Sequence, residues 1–236
     1  MIRTIGFYVF FFLRGFFSFI ARWQANRISM PTIEETDWEK NKVPRSWSQA
    51  LLWIVGAKVE VSGAENLPKG PVLFVANHVG SFDIPVLIAH LPKPFGFISK
   101  IEVLKIPVVG AWMKIMNCVF IDRKNRNDAS KAIGTGVDVL KNGHSLLIFP
   151  EGTRSKGGKM KPFKAGSLRL AMDANVPIIP IAIHGTADIM ENNGNIMRPA
   201  KVRLTILPAI PFDAIKDLSS KELADRVSSL IEPFTN

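Results

Sequence analysis

From Lys58 onward the chain repeats one pattern: a short β-rich apolar run, a turn, then a stretch with helix signals. "GPVLFVAN" is bounded by Gly-Pro and by Asn77; "FGFIS", "CVFI", "SLLIF" and "PIIPIAI" follow, and "KVRLTIL" alternates. Runs this short and this apolar read as buried strands. Between them, Phe82 to His90, "IPVVGAWMKIM", "NDASKAIGTGVDVLKNG", "AGSLRLAMDAN" and "SSKELADRVSSLI" read as helices. Ser81 is the cap candidate for the first, with Pro85 near its first turn, and Asn127 or Asp128 is the candidate for the third, which Gly143 ends. Pro180 is expected to interrupt its strand. The pattern predicts an α/β domain over 58–236 with a mixed central sheet flanked by helices.

The segment before it follows other rules. "MIRTIGFYVFFFLRGFFSFIARW" is apolar from Ile5 to Ile20 except for Arg14. A spanning helix needs about 20 apolar residues. This segment falls short and carries near its middle a residue that is costly in hydrocarbon. Arg22, Trp23 and Arg27 follow where a cleaved signal would offer small residues. Aromatic bulk flanked by Arg3, Arg14 and Arg22 suits a helix lying in a membrane interface. Residues 24–45 hold Pro31, Pro44 and the acidic group Glu34, Glu35, Asp37 and Glu39, and read as a connector. A second short apolar helix then runs from Trp47 to Val55. For 1–57 the expectation is an apolar two-helix membrane-docking motif.

Thirty Lys and Arg against 20 Asp and Glu leave a net charge of +10, which attracts anionic lipid, nucleic acid or an acidic protein. The charge clusters in "EGTRSKGGKMKPFK" and no nucleic-acid motif is present, so nucleic acid is not an expected partner. Cys118 is the single cysteine, which rules out an internal disulfide and a multi-cysteine zinc site. Its apolar surroundings mark a reduced core thiol.

Common catalytic signatures fail. Gly134-Thr135-Gly136 has Val139 where a dinucleotide fingerprint needs its last glycine, and Gly143-His144-Ser145 has Leu147 where a nucleophile elbow needs one. What survives is "LFVANHVGSFDIP", with His78 and Asp83. A catalytic imidazole needs one ring nitrogen anchored so that the other can take a proton, and a carboxylate supplies the anchor. On one helix, positions five apart point about 140° away from each other. The two side chains therefore meet only if His78 sits in the loop and Asp83 in the first helical turn, with Gly80 and Ser81 making the bend. Taken alone, the pair fits equally an Asn-His turn with Asp83 at a helix amino end.

Two more clusters close strands: "FIDRKNR", and "FPEGTRSKGGKMKPFKAGSLRLA", where Pro150 and Gly152 turn Arg154 back over the strand end. Ligands of open α/β sheets sit outside the carboxyl ends of the strands, so His78, Arg123 and Arg154 are expected to converge there. Arginine forks grip phosphate oxygens. A base beside such a cradle suggests transfer to a hydroxyl of a phosphorylated molecule.

Four ordered blocks, "NHVGSFD", "VFIDR", "FPEGTRS" and "VPIIPIAI", with "KPFKAGSLRLA" after the third, resemble the glycerolipid acyltransferases typified by bacterial 1-acylglycerol-3-phosphate acyltransferase. The resemblance spans Asn77 to Ile183 and departs at Gly80, where that family commonly has serine. It implies transfer of a fatty acyl group from acyl-CoA or acyl-carrier protein to the 2-hydroxyl of 1-acylglycerol 3-phosphate (lysophosphatidic acid), giving phosphatidic acid in phospholipid biosynthesis. His78 would be the base and Asp83 its partner, with Arg123, Glu151, Gly152, Arg154 and Lys100 around the acceptor's phosphate. "VPIIPIAI" would form an acyl-facing strand. No cofactor beyond the donor thioester, and no metal, is implied. The expected location is the inner face of the cytoplasmic membrane, peripheral, monotopic or single-span, on an anionic surface. Another lysolipid acceptor, or a noncatalytic lipid-binding module with His78 and Asp83 as scaffold, are the alternative readings. His90, His144 and His184 are isolated in sequence and read as structural.

Overall fold

The computed structural model describes residues 1–106, 108–122 and 126–235. Helices α1 (Ile2–Phe17), α2 (Phe19–Ala25) and α3 (Ile33–Val55) come first. Then follow β1 (Lys58–Ser62), β2 (Leu73–Ala76), α4 (Asp83–His90), β3 (Gly96–Lys100), α5 (Val109–Ile115), β4 (Val119–Ile121), α6 (Arg126–Lys141), β5 (Leu146–Ile148), α7 (Arg169–Ala174), β6 (Ile178–His184), β7 (Lys201–Ile206) and α8 (Ser220–Ile231).

The strands form one sheet in the order β1-β7-β6-β2-β5-β3-β4. All neighbours are parallel except β6 and β7, so β1 and β7 run against the rest and the sheet is mixed. Side chains alternate across it. Phe74, Ala76, Leu147, Ile179 and Ile181 join Leu52 and Val55 of α3 and Val86 and Leu87 of α4 in one core. Leu73, Val75, Leu146, Ile148 and Ile178 join Leu140 of α6, Leu170 of α7 and Leu223 and Val227 of α8 in the other. Helices on both faces are why these strands read as unbroken apolar runs.

Pro180 does not interrupt β6, contrary to expectation. Its missing N–H falls on the β7 side, between the isolated Ile178–Ile210 bridge and the first ladder pair, Ile181 with Ile206, where no ladder bond is required. Two expected caps also move. Asn127 and Asp128 lie inside α6, and α4 begins with Phe82 at the cap position and no side-chain capping bond.

The expected connector is mostly helix. α3 is 23 residues long and absorbs the segment from Trp47 to Val55. Thr32 and Glu35 form a reciprocal capping box, and Glu34 and Glu35 suit the positive helix start. Two of the acidic residues that resembled a loop dock this helix: Glu34 meets Lys93 at 3.1 Å and Asp37 meets His144 at 2.7 Å. Pro44 stays within α3 and is buried there, and the packing of this helix offsets its lost hydrogen bond.

α1 and α2 meet at a 52° bend. No single described helix is long and apolar enough to cross a membrane, while the bent pair together reaches that length and composition. One side packs inward, with the Phe11 ring 4.9 Å from Trp47 and the Phe7 ring 5.5 Å from Phe82. On the other side Phe12, Phe16, Phe17, Phe19, Ile20 and Trp23 are exposed. Trp112 donates to Ser18 at 3.1 Å and fastens the bend to α5.

Candidate active site

The carboxyl ends of β2, β3, β5 and β6 open on the same edge of the sheet. After β2, Asn77 turns back and pairs with both backbone groups of Ile183 on β6, at 2.9 and 2.8 Å. This fixes the strand end from which His78 projects. Its Nδ1 lies 2.7 Å from Asp83 Oδ2, so the loop position of the histidine and the first-turn position of the aspartate do bring them together.

Asp83 is fully buried, and four donors share its oxygens. Oδ2 also accepts the N–H of Val79 at 2.7 Å and of Gly80 at 3.0 Å, while Oδ1 accepts the Thr186 hydroxyl. These bonds fix the carboxylate so that it faces the imidazole. Phe149, at the end of β5, stacks on the His78 ring with centroids 4.0 Å apart and planes at 14°. With Nδ1 engaged, Nε2 is the ring nitrogen left for proton transfer.

The loop after β5 is laced to the loop after β2. Ser155 and Lys156 donate their N–H groups to the carbonyls of His78 and Val79, each at 2.8 Å. Glu151, expected at the phosphate, is placed otherwise. It is buried, and its oxygens accept the backbone N–H of His78 at 2.6 Å and of Lys161 at 3.0 Å. Burial raises its pKa above the usual carboxylate value, against the opposing effect of those two bonds. Glu151 thus braces the histidine's backbone.

Arg154 does turn back over the strand end. Its Nη1 donates to the Ser81 hydroxyl and, at 3.2 Å, to Glu191. Gly152 has φ +72°, and a β-carbon there would approach Lys164 Nζ to 2.8 Å, so the turn requires glycine. His78, Ser81, Lys100, Gly152 and Arg154 all line one cavity of about 680 Å³. Its inner wall is apolar and drawn from the first helices and from α4 and α5, with Phe7, Trp47, Ile88 and Met113 among the contributors. Polar and cationic groups beside an apolar wall in one cavity match an amphiphile with an anionic head. Arg123 lies outside the described residues.

Reading the sequence missed Thr186 and Glu191, and took Ser81 for a cap. Thr186 and Glu191 come from the segment after β6, far along the chain from the residues they hold. The only local signal was the strand end at His184, which feeds the same edge.

The family model described as Acyltransferase matches residues 58–184, more than half of the chain. A "Probable 1-acyl-sn-glycerol-3-phosphate acyltransferase" of Mycoplasma genitalium is 34% identical over 76% of this chain and 71% of its own length. A "1-acyl-sn-glycerol-3-phosphate acyltransferase" of Chlamydomonas reinhardtii is 37% identical over 75% of this chain, which spans 54% of that relative. The crystal structure of the 1-acyl-sn-glycerophosphate acyltransferase PlsC from Thermotoga maritima superposes with a TM-score of 0.83 at 29% identity, covering 98% of this chain and 92% of that one. With the family model matched from β1 to the end of β6, across the strands whose ends carry the carboxylate-anchored histidine, this chain belongs to the acyltransferase family.

Proposed function

We propose that the protein transfers a fatty acyl group from a thioester donor, acyl-CoA or acyl-carrier protein, to the 2-hydroxyl of 1-acylglycerol 3-phosphate, forming phosphatidic acid. The observation that carries this reading is His78, anchored through Nδ1 by Asp83, at the rim of an apolar cavity that it shares with Arg154. His78 Nε2 takes the proton of the 2-hydroxyl as that oxygen attacks the thioester carbonyl carbon. The tetrahedral intermediate collapses, the C–S bond breaks, and the imidazolium returns its proton to the leaving thiolate. An ester and a free thiol result, with no acyl-enzyme. Asp83 stabilises the transient imidazolium. Arg154 and Lys100 hold the acceptor's phosphate, and the apolar wall takes hydrocarbon. No cofactor other than the donor takes part.

The exposed aromatic face of α1 and α2 supports a monotopic location on the inner face of the cytoplasmic membrane. The chain's +10 charge favours anionic lipid there. Lysolipid then enters the cavity from the bilayer, since α1 borders both.

The test is acyl transfer by the purified protein, with labelled acyl-CoA and then acyl-carrier protein, to acceptors with and without the phosphate. Lysophosphatidate should be preferred, and Arg154→Ala should raise its KM by about tenfold or more, the loss expected for a charge-assisted bond. Equal rates with monoacylglycerol would rule out the phosphate cradle. Replacing Phe12, Phe16, Phe17 and Trp23 with serine should release the protein from anionic liposomes in flotation; unchanged flotation would remove the docking role.

A further inference from the structure

The carboxylate of Glu191 belongs to none of the four sequence blocks, yet it sits at the centre of the site's hydrogen bonds. It stands in a short 3-10 turn, Glu191–Asn193, beyond β6, with a side chain only 6% exposed. Oε1 accepts the Ser81 N–H at 2.7 Å and Arg154 Nη1 at 3.2 Å. Ser81 Oγ accepts from the same Arg154 nitrogen. A guanidinium nitrogen of the Nη type has two N–H groups, so these partners occupy both of them. What remains is the Nε and Nη2 edge, whose parallel N–H groups form a fork for two oxygens of one phosphate. Glu191 and Ser81 together thus choose which edge of Arg154 the cavity sees.

Gly80 completes the arrangement. A β-carbon at that position would lie 2.7 Å from Glu191 Oε2, 3.1 Å from its Cδ and 3.3 Å from Oε1. The carboxylate is laid flat on the glycine. Gly80 does not have positive φ, so the backbone of the turn makes no demand for glycine; the neighbouring carboxylate does. This accounts for the position at which the chain departs from its family's usual serine. The second oxygen, Oε2, is buried and has no hydrogen-bond partner among the described residues. A carboxylate oxygen left in that state is costly unless a neighbouring charge offsets it. Arg154 supplies that charge.

We propose that Glu191 is a positioning residue for acceptor recognition, which holds the Arg154 guanidinium with its open fork toward the acceptor's phosphate, and that Gly80 is the space this carboxylate requires. The inference rests on the proposed acceptor and adds the device that orients its ligand.

Steady-state kinetics with lysophosphatidate and acyl-CoA test it. Glu191→Ala should raise the acceptor's KM about tenfold, the effect of misplacing one charge-assisted bond, with the donor's KM and the thermal midpoint near wild type. Glu191→Gln, whose carbonyl still accepts both bonds, should stay within about threefold. Gly80→Ser should raise the acceptor's KM as Glu191→Ala does, and the double variant should be no worse than the poorer single one, because both remove one arrangement. If Glu191→Ala does not fold, Gly80→Ser and Glu191→Gln carry the same readout. An unchanged acceptor KM, a parallel rise in both KM values, failure of glutamine to rescue, or additive effects would each overturn the proposal. A wild-type protein that does not acylate lysophosphatidate would instead overturn the proposed function, so the two failures are distinct.

Discussion

Two histidine–aspartate pairs of equal length stand at opposite ends of the same parallel strands. His78 Nδ1 is 2.7 Å from Asp83 beyond the carboxyl end of β2, and His144 Nδ1 is 2.7 Å from Asp37 before the amino end of β5. The histidine side chains are 18% and 19% exposed, so neither distance nor accessibility separates them. Their surroundings do. His78 lines the cavity, is stacked by Phe149, and has a carboxylate fixed by backbone N–H groups. The second pair lies away from that cavity, and Asn117 donates to Asp37 at 3.2 Å. Asp37 belongs to α3 and His144 to the α/β domain, so this pair fastens the first helices to the sheet. In the proposed reaction the same bond serves chemistry in one place, while in the other it serves assembly, which is why such a pair is weak evidence of catalysis without its cavity.

The comparison breaks most clearly by removing each histidine. His78→Ala should lower kcat about a thousandfold, as loss of a general base does. His144→Ala should leave kcat within about twofold and lower the thermal midpoint. A dead His144→Ala, or an active His78→Ala, would reverse the assignment. The carboxylates should divide likewise, with smaller effects. Asp83→Asn should lower kcat about a hundredfold by losing the charge that stabilises the imidazolium. Asp37→Asn should cost about 1–3 kcal/mol in urea unfolding, the penalty for a poorly satisfied buried group, at constant kcat.

Glu151 sharpens the contrast: it braces the backbone of His78, whereas the N–H of His144 donates to the Val139 carbonyl. Its pKa is raised on folding, so its protonated form favours the folded state. That contribution is full below the unfolded value, near 4.5, and is lost as pH rises through the folded one. Urea midpoints from pH 4 to 7 should show the advantage of wild type over Glu151→Gln narrowing with rising pH; a constant difference would mean the carboxyl does not titrate as described. The smallest effect is expected at Cys118. Burial pushes its thiol up to about 12, and the thiol accepts the Phe97 N–H at 3.1 Å. Iodoacetamide at pH 8 should leave native protein unmodified and label it in urea.

The two pairs also mark what could be read without coordinates. His78 and Asp83 are five residues apart, and the alternation around them placed one in a loop and the other at a helix start. His144 and Asp37 are 107 residues apart, and nothing local joins them. The central strands were legible because burial on both sheet faces demands unbroken apolar runs, and β7 because burial on one face leaves alternation. The extent of α3 was not, because its acidic residues and Pro44 look like a connector until the surface they dock on is known. The backbone partners of Glu151 were not legible, since the N–H groups it accepts, from His78 and Lys161, are not revealed by its sequence neighbours.

By itself, then, the sequence determined the α/β alternation, the strand ends that carry His78 and Arg154, and the family those blocks resemble. These depend on periodicity and on residues a few positions apart, which chain geometry makes local. Tertiary structure alone decided that Thr186 caps Asp83, that Glu191 lies on Gly80 and holds Arg154, and that one histidine–aspartate pair faces a cavity while its twin fastens a helix. Those contacts join segments distant along the chain, and side chains so separated meet only once the sheet has brought its loops to one edge.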